Sequence, residues 1–252
     1  MKRVKQLLLV ALIVCFTSIW GFSTQSYAAE LSSPSGTLVN ARISAFGKNG
    51  KYFDHISYAN TYPDLYALYG YNKSALWKHY VTLGVYENRA ALGTTPSVTA
   101  KLQPLYLVSS IVNDSMSDRE KAQAIHDWII NNTVYDYANY LAGTIPAVSY
   151  TKEGVFANHV AVCAGYADAF SYLAKLAGLN CENVDGVAYS DGSSGDHAWN
   201  RVLIDGTWLY LDCTFDDPVC SDGSNTLTYN YFLVPYEVIS ADHIQQAVYK
   251  KY

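Results

Sequence analysis

Three residues in the C-terminal half of the chain could together perform covalent chemistry: Cys163, His197 and Asp212. Ala161-Val162-Cys163-Ala164-Gly165-Tyr166 leads into an apolar-periodic run, which places Cys163 at a helix N-terminus. There the unpaired backbone N–H groups and the positive end of the helix dipole favour a thiolate, and the same N–H groups can donate to an oxyanion. Further on, His197-Ala198-Trp199-Asn200-Arg201-Val202-Leu203-Ile204 and the segment from Thr207 to Thr214 flank Asp205-Gly206. Asp-Gly between two alternating runs signals a hairpin with a two-residue turn. Pairing Ile204 with Thr207 puts His197 and Asp212 on one face as diagonal neighbours, about 7–8 Å apart at the backbone. A carboxylate that accepts the imidazole proton fixes the tautomer and favours the protonated ring, the base-and-orienter arrangement of a catalytic triad. Thiolate, imidazole and carboxylate make a complete set for acyl transfer through a covalent intermediate. The same register puts Cys213 on the opposite face with Val202, Leu209 and Leu211, a poor place for a nucleophile.

The elements that must position these groups follow from periodicity. Ala167, Phe170, Leu173, Ala174 and Ala177 share one side of a helix from Cys163 that Gly178 ends. Upstream, 105–112 reads as a helix. Ser117 with Glu120 forms a capping box for another, whose buried face is Ile125, Trp128 and Ile129. Beyond Gly186 the period changes from 3.6 to 2. Helices followed by strands indicate an α+β domain spanning 97–252, preceded by a linker around Pro96.

Before that linker the composition shifts. Residues 51–93 contain Tyr52, Tyr58, Tyr62, Tyr66, Tyr69, Tyr71, Tyr80 and Tyr86. Pro63 suits a helix first turn, and Asn72 caps a helix over 73–83 with the stripe Leu76, Tyr80 and Leu83. The spacing predicts a small helical module whose tyrosines form a core or, alternatively, stack on sugars. Residues 29–50, rich in Ser, Gly and Asn, read as an extended lead-in. At the start, Lys2, Arg3 and Lys5 precede an apolar run of about 14 residues, too short to span a bilayer, and Ser26-Tyr27-Ala28 offers a cleavage site. Residues 1–28 therefore read as a cleavable signal peptide. A secreted or cell-surface protein without a membrane span is expected.

The 252 residues are 50% hydrophobic and 15% charged, a profile that excludes a disordered linker. The formal net charge of −5 becomes three units more negative once the signal cations are removed, which disfavours nucleic acid or an anionic membrane as partner. Cys163, Cys181, Cys213 and Cys220 would remain, an even number, but no Cys-x-x-Cys spacing points to zinc. The most local disulfide would join Cys213 to Cys220. His126, Asp127 and Asp136 could be cast as a metal site, but adjacent helical positions face different ways, and solvated positions are expected. The run 191–196 has a calcium-loop composition, for which a flexible loop beside the cleft is the simpler account. No metal and no cofactor is expected.

Two resemblances add to this reading. Phe53-Asp54, Tyr62-Pro63-Asp64, His79-Tyr80, Gly84 and Glu87-Asn88-Arg89 look like a short helical module of exported bacterial surface proteins, with Asn88 where that family has Gly. This implies a surface or cell-wall setting. Val162-Cys163-Ala164-Gly165-Tyr166-Ala167, Asp196-His197-Ala198-Trp199-Asn200 and Trp208-Leu209-Tyr210-Leu211-Asp212-Cys213-Thr214 resemble the transglutaminase-like superfamily of papain-like cysteine enzymes. The closing Tyr231-Phe232-Leu233-Val234 and Asp242-His243 are similar to the end of bacterial members. The resemblance implies a papain/transglutaminase-like core of helices on an antiparallel sheet, with Cys163 as nucleophile, His197 as base and Asp212 as orienter. It also implies a protein or peptide substrate, such as a cell-wall peptide, and either hydrolysis or transamidation. The family's Asn-Gly before the Cys is Asn158-His159 here. Its second oxyanion donor is a side chain upstream of the Cys that no motif places, with Tyr150, Asn158 and His159 the polar residues at hand. The competing reading is a catalytically silent surface scaffold whose tyrosine-rich module does the work.

Overall fold

A computed structural model describes residues 34–190, 192–219 and 226–252. The first helix corrects the expected extended lead-in: α1 (Gly36–Ala45) is capped by the Ser35 side chain and buries Leu38, Val39, Arg42 and Ala45. With Phe46, also buried, these positions follow the i, i+1, i+4, i+7 spacing of a helix and not the alternation of a strand. Helices α2 (His55–Thr61), α3 (Pro63–Tyr69) and α4 (Lys73–His79) follow. Asp54 and Asn72 cap α2 and α4 through their side chains, and Pro63 opens α3. After α4 the chain enters a π-helical turn, Tyr80–Gly84. The wider turn rotates the predicted stripe, so Leu76 and Tyr80 are buried but Leu83 is 53% exposed. Two of the eight tyrosines, Tyr58 and Tyr80, form a core with Phe46, Phe53 and Trp77, meeting mostly edge to face at 5.2–6.0 Å, whereas Tyr66, Tyr69, Tyr71 and Tyr86 are exposed.

That aromatic core continues into α5 (Pro96–Ile111), which starts at the expected linker with Thr95 as cap. Tyr106 of α5 hydrogen-bonds Tyr80 and the backbone of Ala91, and the Arg42 guanidinium lies 4.6 Å from its ring centre. Both bonds of the capping box between Ser117 and Glu120 are present at the start of α6 (Asp118–Asn132). The two-residue strands β1 (Val134–Tyr135) and β2 (Val160–Ala161) pair in parallel and frame α7 (Tyr137–Ala142) and two short turns, Ala147–Tyr150 and Gly154–Asn158. Helix α8 (Cys163–Leu176) packs against α6 on one side and the sheet on the other.

The sheet comprises β3 (Cys181–Ser190), β4 (Ser193–Ile204), β5 (Thr207–Leu211) and, after α9 (Tyr236–Ile239), β6 (His243–Tyr249). Its order is β5-β4-β3-β6, antiparallel throughout. Ile204 faces Thr207, the register that the Asp205-Gly206 turn implies, and both turn residues have positive φ (48° and 78°). Residues 193–196 belong to β4, paired to β3, so most of the expected loop is strand; Asp191 lies outside the described residues. Helices packed on an antiparallel sheet give the α+β architecture expected for this class. No helix among the described residues is long and apolar enough to cross a membrane. The predicted signal segment 1–28 lies outside them.

Candidate active site

Cys163 is the first residue of α8, entered directly from β2 through Val162 in extended conformation. No side chain caps this helix; the Gly165 and Tyr166 N–H groups donate to the Val162 carbonyl, which leaves those of Cys163 and Ala164 as the candidates to meet an oxyanion. Gly165, two residues on, allows the close approach. A Cβ there would stand 2.5 Å from the Ser149 carbonyl oxygen and 2.9 Å from the Ala161 side chain. The Cys163 thiol is half-buried and carries no disulfide.

His197 projects from β4, and its Nε2 lies 2.6 Å from Oδ2 of Asp212, which follows β5. The diagonal geometry of the hairpin thus brings both side chains into contact. Asp212 is 1% exposed and saturated: Oδ1 accepts the N–H groups of Thr214 (2.8 Å) and Phe215 (3.2 Å), and Oδ2 accepts from His197 and from His243 Nε2 at 3.0 Å. Burial alone would lower the basicity of His197. The charge and hydrogen bond of Asp212, joined by a hydrogen bond and charge interaction with Cys163, overcome it and push the imidazole up to about 10. Burial alone would raise Asp212; the two imidazoles, His197 foremost, hold it well below the usual carboxylate range. The ring of Trp199 stacks on His197 at 5.9 Å, and Phe215 closes on it at 4.9 Å.

Sequence reasoning missed two groups. His243, the first residue of β6, sits between Asp212 and Asp242, whose Oδ1 is 2.6 Å from His243 Nδ1. Asp242-His243 stood out only as a closing motif, because the pairing of β6 with β3 is a long-range event with no local turn to fix it. The second is Tyr135 of β1. Its Cα partner in β2 is Ala161, two residues before Cys163, and burial first, then the charge of Cys163, raises its phenol.

The other polar residues upstream of Cys163 are placed differently. Tyr150 is half-exposed, and Asn158 ends the Gly154–Asn158 turn. His159 takes a left-handed conformation (φ 56°, ψ 27°) and donates from Nδ1 to the Asn132 carbonyl at 2.8 Å. It thus fills the conformation in which a glycine is free of strain, with a side-chain tie in compensation.

His126, Asp127 and Asp136 are not the solvated positions expected. His126 is fully buried, with Nε2 3.2 Å from Asp216 and Nδ1 2.9 Å from Asp127, so the adjacent side chains do meet. Asp136 is buried and accepts from Ser149 and Asn139. Cys181 and Cys213 are buried and form no disulfide among the described residues, and burial pushes both thiols up. Cys220 lies outside those residues. Among them, His197, Asp212 and His243 form the one cluster of three metal-capable side chains. Its N···O distances of 2.6 and 3.0 Å are shorter than the roughly 3.3 Å that ligands of a tetrahedral zinc keep between them, and fit hydrogen bonds.

Residues 106–213 match the model of the transglutaminase-like superfamily. The chain is 31% identical over 158 residues to Kyphoscoliosis peptidase of Homo sapiens, covering 58% of this chain and 24% of that protein. It is 28% identical over 187 residues to the Mus musculus protein of that name, covering 69% and 28%. The chain thus spans about a quarter of the length of these curated relatives. Among solved structures it is similar to a candidate cysteine protease from Cytophaga hutchinsonii (20% identity, 60% of this chain and 43% of that one, TM-score 0.42). It is also similar to a TGase (21% identity, 68% and 42%, TM-score 0.41). Residues 106–213, which hold Cys163, His197 and Asp212, thus carry a transglutaminase-like domain, of a superfamily whose chemistry is cysteine-based acyl transfer.

Proposed function

We propose that the protein is an exported cysteine enzyme that cleaves or exchanges amide bonds of protein or peptide substrates through Cys163, His197 and Asp212. The single observation that carries this reading is the imidazole of His197, hydrogen-bonded to buried Asp212, with a free Cys163 at the start of α8. A protonated imidazole beside the sulfur favours the thiolate. The thiolate attacks the amide carbon, and the negative oxygen is met by N–H groups of the first turn of α8 and by the Tyr135 O–H. The C–N bond then breaks, His197 gives its proton to the leaving nitrogen, and a thioester remains on Cys163. Water or an amine attacks the thioester while His197 takes back a proton, and the thiolate is regenerated. The peptidase names of the two relatives favour water as acceptor. Export rests on the signal-like composition of 1–28, and the tyrosine-rich segment supports a surface or cell-wall setting, with cell-wall peptides as the substrates to try first.

The test is amide hydrolysis and amine incorporation assayed on casein and on peptidoglycan stem peptides, with wild type and Cys163→Ala. Activity that disappears in the variant supports the reading. Activity that survives it, or a wild type inert in both assays with Cys163 unreactive, overturns it.

A further inference from the structure

We propose that His243 is a positioning residue for Asp212, the middle of a hydrogen-bonded chain that runs from Tyr231 through Asp242, His243 and Asp212 to His197. The inference rests on the reading of Cys163 and His197 given above and extends it to residues that reading does not use. The links are short and consecutive. The Tyr231 O–H donates to Asp242 Oδ2 at 2.6 Å, Asp242 Oδ1 lies 2.6 Å from His243 Nδ1, and His243 Nε2 lies 3.0 Å from Asp212 Oδ2.

The oxygen on which His243 acts is the one that His197 uses, at 2.6 Å. Two backbone N–H groups grip Oδ1 and restrict rotation about the Cβ–Cγ bond from that side only. A second fixed donor at Oδ2 holds the plane in which His197 must meet it. His243 is suited to that task because it cannot itself turn. It is 2% exposed, and its ring is packed against Trp199 (4.9 Å), Phe215 (4.8 Å) and Tyr231 (5.5 Å). Asp242 fixes the orientation that points Nε2 inward.

The backbone is shaped to deliver this ring. β6 sits across β3 and β4 from β5, and it reaches Asp212 past Gly186, where β3 and β6 lose register in a bulge. A Cβ at Gly186 would stand 2.1 Å from the Ile244 carbonyl oxygen and 2.8 Å from the Trp199 ring. Any other residue would push β6, and His243 with it, away from the cleft.

The experiment follows two signals in the full chain: the rate at which iodoacetamide alkylates Cys163 at pH 6, and the far-downfield proton resonance expected of the short His197–Asp212 bond. His243→Phe keeps a packed ring without donors, and His243→Gln restores one donor. The phenylalanine variant is expected to alkylate roughly tenfold more slowly, a loss typical for a residue that orients an active group, and to lose the resonance. Glutamine is expected to recover both. Wild-type rate and an intact resonance in a folded His243→Phe protein would overturn the proposal. Should that variant not fold, Asp242→Asn decides: slower alkylation at unchanged stability supports the role, and an unchanged rate refutes it. If wild-type Cys163 is itself inert, the underlying reading fails first, whereas the resonance still reports on His243.

Discussion

Two buried imidazoles in this protein each bridge a pair of carboxylates, and the two bridges are anchored four residues apart. His243 joins Asp242 to Asp212; His126 joins Asp127 to Asp216. The turn is continuous, since the Asp216 N–H donates to the Asp212 carbonyl. The difference lies in what else each inner carboxylate holds. Asp216 spends its remaining capacity on the Thr228 hydroxyl and the Tyr231 N–H, so that bridge closes on the scaffold and ties α6 to the segment after β5. Asp212 holds His197, the imidazole proposed to serve Cys163 at the start of α8. On the proposed reading, the same polar motif serves as a clamp where it ends in the scaffold and as an orienting device where it leads to His197.

The comparison breaks most visibly at the inner carboxylates. Asp212→Asn is expected to lower turnover of the folded fraction by roughly 10³–10⁴-fold, as loss of the orienting carboxylate does in other triads, and to cost stability as well, since His197 and His243 both lose their charged partner. Asp216→Asn should leave turnover of the folded fraction unchanged while costing on the order of 3–5 kcal/mol of stability, since it leaves His126 buried without its deeper partner. Rates and urea unfolding of both variants check this. A large rate loss in Asp216→Asn at preserved stability would erase the distinction.

Next in size is Tyr135, which has no counterpart at the clamp. Tyr135→Phe removes the O–H proposed to meet the oxyanion and is expected to lower kcat by roughly 10²-fold with KM nearly unchanged. An unaltered kcat would remove Tyr135 from the reaction.

The smallest effect is the pH dependence of stability. His197 is raised to about 10, so its contribution is full below the unfolded value of about 6.5 and is lost as pH rises through about 10. Asp212 is depressed, so its contribution is present above about 3.9 and is lost as pH falls below that. Both are full between about pH 4 and 6.5. In that window the stability gap between wild type and His197→Ala should be widest, and it should narrow towards pH 10. A gap that widens above pH 7 would contradict the assignment.

Much of the site was legible in the residues because it is built on local signals. Asp205-Gly206 fixes one register, and a two-fold period then forces His197 and Asp212 onto one face. Cys163 falls at a helix start because a periodic run begins there. What could not be read depends on distant pairing. β6 reaches Asp212 from the far side of the sheet, and β1 brings Tyr135 opposite Ala161, two residues before Cys163, by pairing with β2. The helix α1 was missed because the Ser, Gly and Asn around it set the reading, although Leu38, Val39, Arg42 and Ala45 follow a helical spacing. His126 read as solvated because its partner Asp216 lies 90 residues away.

The most direct test of the central claim is the pH profile of Cys163 alkylation by iodoacetamide from pH 4 to 10, located by mass spectrometry, in wild type and His197→Ala. The account predicts selective reaction of Cys163 well below the free-thiol value of about 8.5, with the low-pH reactivity lost when the imidazole is removed. Reaction of Cys163 only as an ordinary thiol, with the same profile in both proteins, would contradict it.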